Sequence, residues 1–213
     1  MTDLSYECSW ESIIALDEWL TPNRYNCKIY FDIETDDGEH QNIAFERMKI
    51  MLEAIFSHSV FISMTNPLIQ VLAKKTKQKI IALPTEPLDV IMAAIIYHKL
   101  NAISDGRISI QKVKLCSDQG DKIWIHFDTY FAEDFSSLES EYYKAVKETP
   151  WWHREDPAVN DWFEISKKEM KFHLHKSSWD KTLQWDVKKD KNDNKKTPNW
   201  SPKVIDGGKE TKH

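Results

Sequence analysis

Two adjacent runs restrict this chain more than anything else in it. Lys79-Ile80-Ile81-Ala82-Leu83 is apolar after its first residue, which suits a strand covered on both faces, and its expected place is the middle of a sheet. Pro84-Thr85-Glu86-Pro87 then turns the chain into Leu88–Leu100, whose apolar residues fall on nearly every side of a helix. Such a helix has to be surrounded. The pair therefore demands a layered domain in which a sheet and helices share one core.

The flanking segments supply the other layers. Cys27, Ile29, Phe31 and Ile33 alternate with Lys28, Tyr30, Asp32 and Glu34, the period of a strand, and the chain then enters its densest acidic loop, Thr35 to His40. Ala44, Met48, Met51, Leu52 and Ile55 recur at helical spacing, so Asn42–Phe56 reads as an amphipathic helix. Val60–Met64 is a short strand, and Asn66-Pro67 opens a second helix that Lys74, Lys75 and Lys77 close. In Arg107–Cys116 the apolar residues Ile108 and Ile110 are out of phase with Val113 and Leu115, which predicts a β-bulge near Gln111-Lys112. Ser117–Asp121 is a hairpin loop, and Lys122–Asp128 returns with Ile123, Ile125 and Phe127 inward. Ahead of all this, Ser9–Leu20 looks like a short helix, capped by Ser9 and stopped by Thr21-Pro22. The expected fold class is thus α/β, a layered mixed sheet in the order β-α-β-α-β-α-β-β. An N-terminal helix in residues 1–22 packs on a body of residues 23–132.

Beyond the body, Ser136 followed by Glu139 is a capping-box pattern and predicts a helix to Lys147. The composition then turns aromatic, for six of the nine tryptophans lie at Trp151, Trp152, Trp162, Trp179, Trp185 and Trp200. Alternation around Met170–His175 and Leu183–Val187 suggests an added hairpin in this extension, residues 133–187. Residues 188–213 are polar and read as a disordered tail. Residues 181–213 hold nine lysines against five acids, a surplus of four positive charges in a chain of net charge −5. The remainder is acidic enough to repel nucleic acid, which only the Lys-rich tail could touch. The longest apolar run, Val90 to Tyr97, falls far short of the ~20 residues that span a bilayer, and the N-terminus lacks a signal-peptide pattern. Three cysteines without metal-ligand spacing read as reduced thiols. A soluble cytoplasmic protein with no membrane partner is expected.

Two kinds of chemistry compete. Asp32 and Glu34 project from one strand face two residues apart, which suits a divalent cation or an ordinary wetted face. Phe31-Asp32-Ile33-Glu34-Thr35 resembles the first motif of the DEDD family of 3′ to 5′ exonucleases, where a strand-borne Asp-x-Glu helps to hold two magnesium ions. Asn101–Asp105 and Tyr130–Asp134 loosely match its second and third motifs. The resemblance covers three short pieces and implies a magnesium- or manganese-dependent nuclease or phosphoesterase with Asp32, Glu34, Asp105 and Asp134 as ligands.

With five glycines and no phosphate-cradling or nucleophile-elbow pattern, dinucleotide, P-loop and α/β-hydrolase chemistry find no footing. The leading expectation is instead a non-catalytic interaction protein without cofactor, self-associating or bound to another protein. It would dock through the hairpin edge at Lys122–Asp128 or through Trp151, Trp152, Trp162, Trp179 and Trp185, unless those rings cover the chain's own body.

Overall fold

The computed structural model describes residues 4–76, 78–146, 149–161 and Trp179. Their centre is one mixed six-stranded sheet with helices packed against it, an α/β fold. The strands are β1 (Leu4–Leu16), β2 (Trp19–Ile33), β3 (Val60–Ser63), β4 (Ile80–Leu83), β5 (Ile108–Ser117) and β6 (Ile125–Asp128), and they lie in the order β4-β3-β1-β2-β5-β6. β1 runs parallel to β3 and β3 to β4, whereas β1–β2, β2–β5 and β5–β6 are antiparallel.

The N-terminal helix expected at Ser9–Leu20 is a strand pair instead. β1 and β2 form a long hairpin in register from Leu4↔Phe31 to Leu16↔Trp19, closed by Asp17, which holds a left-handed φ of 49°. Trp10, Ser12 and Ile14 are buried while Ser9 and Glu11 are exposed, so the period is two. Pro22, read as a helix stop, is tolerated within β2 for a simple reason. Arg24 O accepts a hydrogen bond from Asp118 N, so residues 22 and 24 aim their backbone away from β1, and β5 pairs with β2 only from Tyr25 onward. The missing N–H of Pro22 costs no ladder bond.

After β2 the acidic loop caps a helix. Asp37 Oδ1 accepts from Glu39 N at 2.9 Å, and α1 (Gly38–Lys49) runs on into π-helical turns at Ile50–Ile55. Asn66 Oδ1 accepts from Leu68 N at 2.9 Å to start α2 (Leu68–Lys75), and its Nδ2 donates to Asp17 O at 2.7 Å, tying the β1–β2 turn to the helix. In α3 (Asp89–Ser104) every residue from Ile91 to Tyr97 is buried. Phe45 of α1 packs edge-on to Phe31 of β2, and Tyr97 of α3 packs edge-on to Phe127 of β6, which puts both helices on one face. The other face of β1, β2 and β5 carries Glu7, Glu11, Arg24, Lys28, Lys112 and Lys114.

The bulge is where the phase shift puts it. Tyr30 opposes Lys112 and Phe31 opposes Ile110, leaving Gln111 as the extra residue. β4 is buried at every position as expected, but it forms the edge of the sheet rather than its middle. α4 (Ala132–Val146) starts ahead of Ser136, so Glu139 is no capping residue. The expected hairpin around residues 170–187 and the tail from residue 188 lie outside the described residues. Among those described, no helix is long and apolar enough to cross a membrane.

Candidate interaction surface

Two of the tryptophans expected to face a partner face inward. Trp151 and Trp152, in one 3-10 turn (Trp151–His153), are both 0% exposed. The expectation that they form a docking face is corrected to an internal role. Trp151 Nε1 donates to Ala82 O at 3.1 Å, and Ala82 N donates to Asn160 Oδ1 at 3.4 Å. The outer edge of β4 is thereby closed by side chains of the C-terminal segment, which is how an apolar strand comes to lie at the rim of a sheet. Trp179 sits with its ring 5.3 Å from the Arg47 guanidinium and donates Nε1–H to Glu155 O at 2.7 Å. Trp162 and Trp185 lie outside the described residues.

Buried charges hold this segment in place. Lys99 of α3 is completely buried, and its ammonium donates to the backbone oxygens of Trp151 and Arg154, both at 2.8 Å, and Asp156 at 2.6 Å. Burial pushes Lys99 down to about 7, against the pull of Asp156. Asp161 Oδ2 accepts from Trp151 N at 2.8 Å and from the Tyr142 hydroxyl at 3.1 Å, while Oδ1 accepts from Arg154 Nη1 at 2.6 Å. Burial raises its carboxyl although Arg154 opposes the rise. Glu139 Oε1 takes hydrogen bonds from Trp152 Nε1 and His153 Nε2. Burial alone would raise the Glu139 carboxyl, but these two donors, together with the nearby His153 and His98 rings, hold it below its ordinary value. Polar groups this deep are satisfied by one another, and the result is a clamp rather than an open site.

Three of the four carboxylates of the exonuclease resemblance belong to side chains that are described. Asp32 is exposed on the face of β2 away from the helices, opposite Ser109. Glu34 lies past the end of β2 with its backbone N bonded to Arg107 O at 3.0 Å. Asp105 ends α3 in a left-handed conformation and pairs with Arg107 at 2.7 Å. Asp134 falls in α4, and its side chain is not among those described. Among the described residues no three His, Cys, Asp or Glu side chains converge as a metal site would require. Two surface clefts offer little more. A cleft of about 520 Å³ at the C-terminal ends of β1 and β3 is lined by Asp17, Glu18, Trp19 and Glu86. Another of about 460 Å³ holds Ser12 and His58, but Ser12 Oγ has no hydrogen-bond partner among the described residues, so no serine–histidine pair exists there.

The β6 end of the sheet differs from the closed β4 end. Lys122 and Asp121 take left-handed φ values of 59° and 54°, and Lys122 N and Ile123 N bond back to Ser117 O and Gly120 O. The hairpin loop is therefore longer than expected and β6 begins at Ile125. Ile123, expected inward, is 65% exposed, with Trp124 at 53% and Tyr130 at 82%. Asp128 accepts from the backbone of both Tyr130 and Phe131, a turn that folds the Phe131 ring back to 5.8 Å from His126. Among the described residues no strand pairs with β6 on its outer side. An unpaired strand edge is thus flanked by exposed apolar side chains.

No protein-family model matches the chain, and no curated protein is similar to it. Among solved structures, the crystal structure of an uncharacterized protein from Wolinella succinogenes is similar at 10% identity and a TM-score of 0.44, over 60% of this chain and 97% of that one.

Proposed function

We propose that this protein is a non-catalytic binding module that accepts a strand of a protein partner on the outer edge of β6. The observation that carries the reading is the asymmetry of the sheet. Its β4 edge is covered by Trp151 and Asn160, whereas its β6 edge stands beside exposed Ile123, Trp124 and Tyr130. Strand addition draws affinity from main-chain hydrogen bonds and specificity from alternate side chains. With four residues in β6, the ladder supplies few bonds, so the apolar side chains around it must contribute much of the affinity.

The test compares the proteins retained from cells by the full-length chain and by its Trp124→Lys variant. Trp124 is half exposed, so the variant keeps its circular dichroism and melting temperature, and a retained partner is lost from it. Equal retention by both would remove the β6 edge from consideration.

A further inference from the structure

We infer that Cys8 of β1 and Cys27 of β2 are a modification site, a dithiol that an oxidant of the peroxide class converts to a reversible cross-strand disulfide. The inference concerns β1 and β2 alone and is independent of what β6 binds. Cys8 lies directly opposite Cys27 in the antiparallel ladder, and both are free thiols. Residues opposite each other share a face, so both sulfurs lie on the side that packs against the helices.

The neighbouring backbone shows which kind of pair this is. Glu11 O accepts from His58 N at 2.7 Å and Ile13 N donates to Ser59 O at 2.9 Å, so the odd-numbered residues of β1 aim their backbone away from β2. Cys8 is even-numbered and bonds to β2, which makes Cys8 and Cys27 a hydrogen-bonded pair with Cα atoms about 5.5 Å apart. A disulfide spans roughly 4.4–6.8 Å between Cα atoms, so the pair can be bridged without moving the strands apart. The Cβ atoms of such a pair begin at about 5.5 Å and close to about 4 Å in the bond, a distortion that leaves it easily reduced. Cys116 is no rival partner. Cys27 opposes Leu115, so Cys116 points to the other face of the sheet, where its Sγ accepts from Asn26 Nδ2 at 3.8 Å.

The two thiols differ in access, and this sets the order of events. Cys8 is partly exposed, whereas Cys27 is buried, and burial with the Cys8 thiol beside it pushes Cys27 well above its ordinary value. Cys8 therefore meets the oxidant first. Its sulfur attacks one peroxide oxygen, the O–O bond breaks, and one water departs to leave a sulfenic acid. The Cys27 sulfur then attacks the Cys8 sulfur, forming the S–S bond while the hydroxyl leaves with the Cys27 proton as a second water. Two thiols are oxidised and one peroxide is reduced to two waters; a dithiol reductant reverses the change. Among the described residues β3 pairs with β1 only at Ile13–Ala15, so the arm from Leu4 to Trp10 is laddered to β2 alone. The disulfide fastens that arm.

The test treats the folded full-length chain with hydrogen peroxide, blocks the remaining thiols with N-ethylmaleimide in denaturant, and maps the peptides by mass spectrometry. The expected result is a fall from three blocked cysteines to Cys116 alone, a linked Cys8–Cys27 peptide within one chain, and recovery of all three after dithiothreitol. Cys116→Ser should form the same link, and Cys27→Ala should hold Cys8 as a sulfenic acid that dimedone captures. Amide exchange at Tyr6 and Trp10 should slow about tenfold in the oxidised chain. Three blocked cysteines after peroxide, a link through Cys116 or between two chains, or a Cys8 sulfenic acid that persists in the wild type each overturns the site. A Cys8–Cys27 link without slower exchange overturns the fastening of the arm. The wild-type peptide map decides by itself if either variant fails to fold.

Discussion

At the scale of single residues, interlocking rings join α3, α4 and the Trp151–His153 turn. His98 stacks on Phe135, meets Phe127 and His153 edge-on, and leaves its Nε2 buried without a hydrogen-bond partner among the described residues. Burial, reinforced by His153, pushes its pKa from 6.5 down to about 4, while Glu139 pulls the other way. Between those two values the unfolded chain binds a proton that the folded chain refuses. The contribution of His98 is therefore complete above pH 6.5 and is lost as the pH falls toward 4. At ~1.4 kcal/mol per pH unit, reduced for the partial exposure of the ring, the loss amounts to about 1–3 kcal/mol. His98→Phe keeps the ring contacts and removes the titration. Urea unfolding at pH 6.5 and 4.5 should give a flatter pH dependence for this variant, and an unchanged slope would mean that other groups carry the acid sensitivity. Glu139, Lys99 and Asp161 were not legible as partners in the sequence, because each meets its hydrogen-bond partners only after distant segments have packed.

At the scale of elements, the bulge in β5 shows what a phase shift can foretell. Ile108 and Ile110 face the helices, as do Val113 and Leu115, and Gln111 is the residue that reconciles the two pairs. Deleting Gln111 leaves Ile110 opposite Phe31 and Lys112 opposite Tyr30, so no side chain changes face. We expect a folded sheet and a cost near 1 kcal/mol. An alanine inserted between Val113 and Lys114 turns Leu115 outward and should cost several times as much. Denaturant midpoints of the two variants compare them directly; similar midpoints would show that the register of β5 is not set by its buried face. The hairpin β1–β2 is the opposite case. Trp10, Ile13 and Ile14 fit one side of a helix, whereas Trp10, Ser12 and Ile14 fit one face of a strand, and thirteen residues of pairing with β2 decide between them.

At the scale of the whole molecule, the two sheet edges are treated differently: Trp151 and Asn160 cover β4, whereas among the described residues no strand pairs with the outer side of β6. Trp151→Phe removes the indole N–H that Ala82 O accepts and shrinks a fully buried ring, at an expected cost of about 2–4 kcal/mol. It also loosens the cover of β4, so light scattering on heating should rise earlier than in the wild type. A variant that melts early without added scattering would separate ring packing from edge protection. The sequence by itself determined the fold class, the strands at Val60–Ser63 and Ile80–Leu83, the core helix α3 and the bulge at Gln111, because apolar periodicity is a property of neighbouring residues. It also placed an antiparallel hairpin where β5 and β6 pair, although it turned Ile123 inward. The tertiary structure decided that β4 lies at the rim, that Trp151 and Asn160 close it, and that the loop before β6 leaves Ile123 and Trp124 exposed. The physical reason is the same in each case. Alternation says which face of an element must be buried, but what covers that face or edge comes from residues far away in the chain.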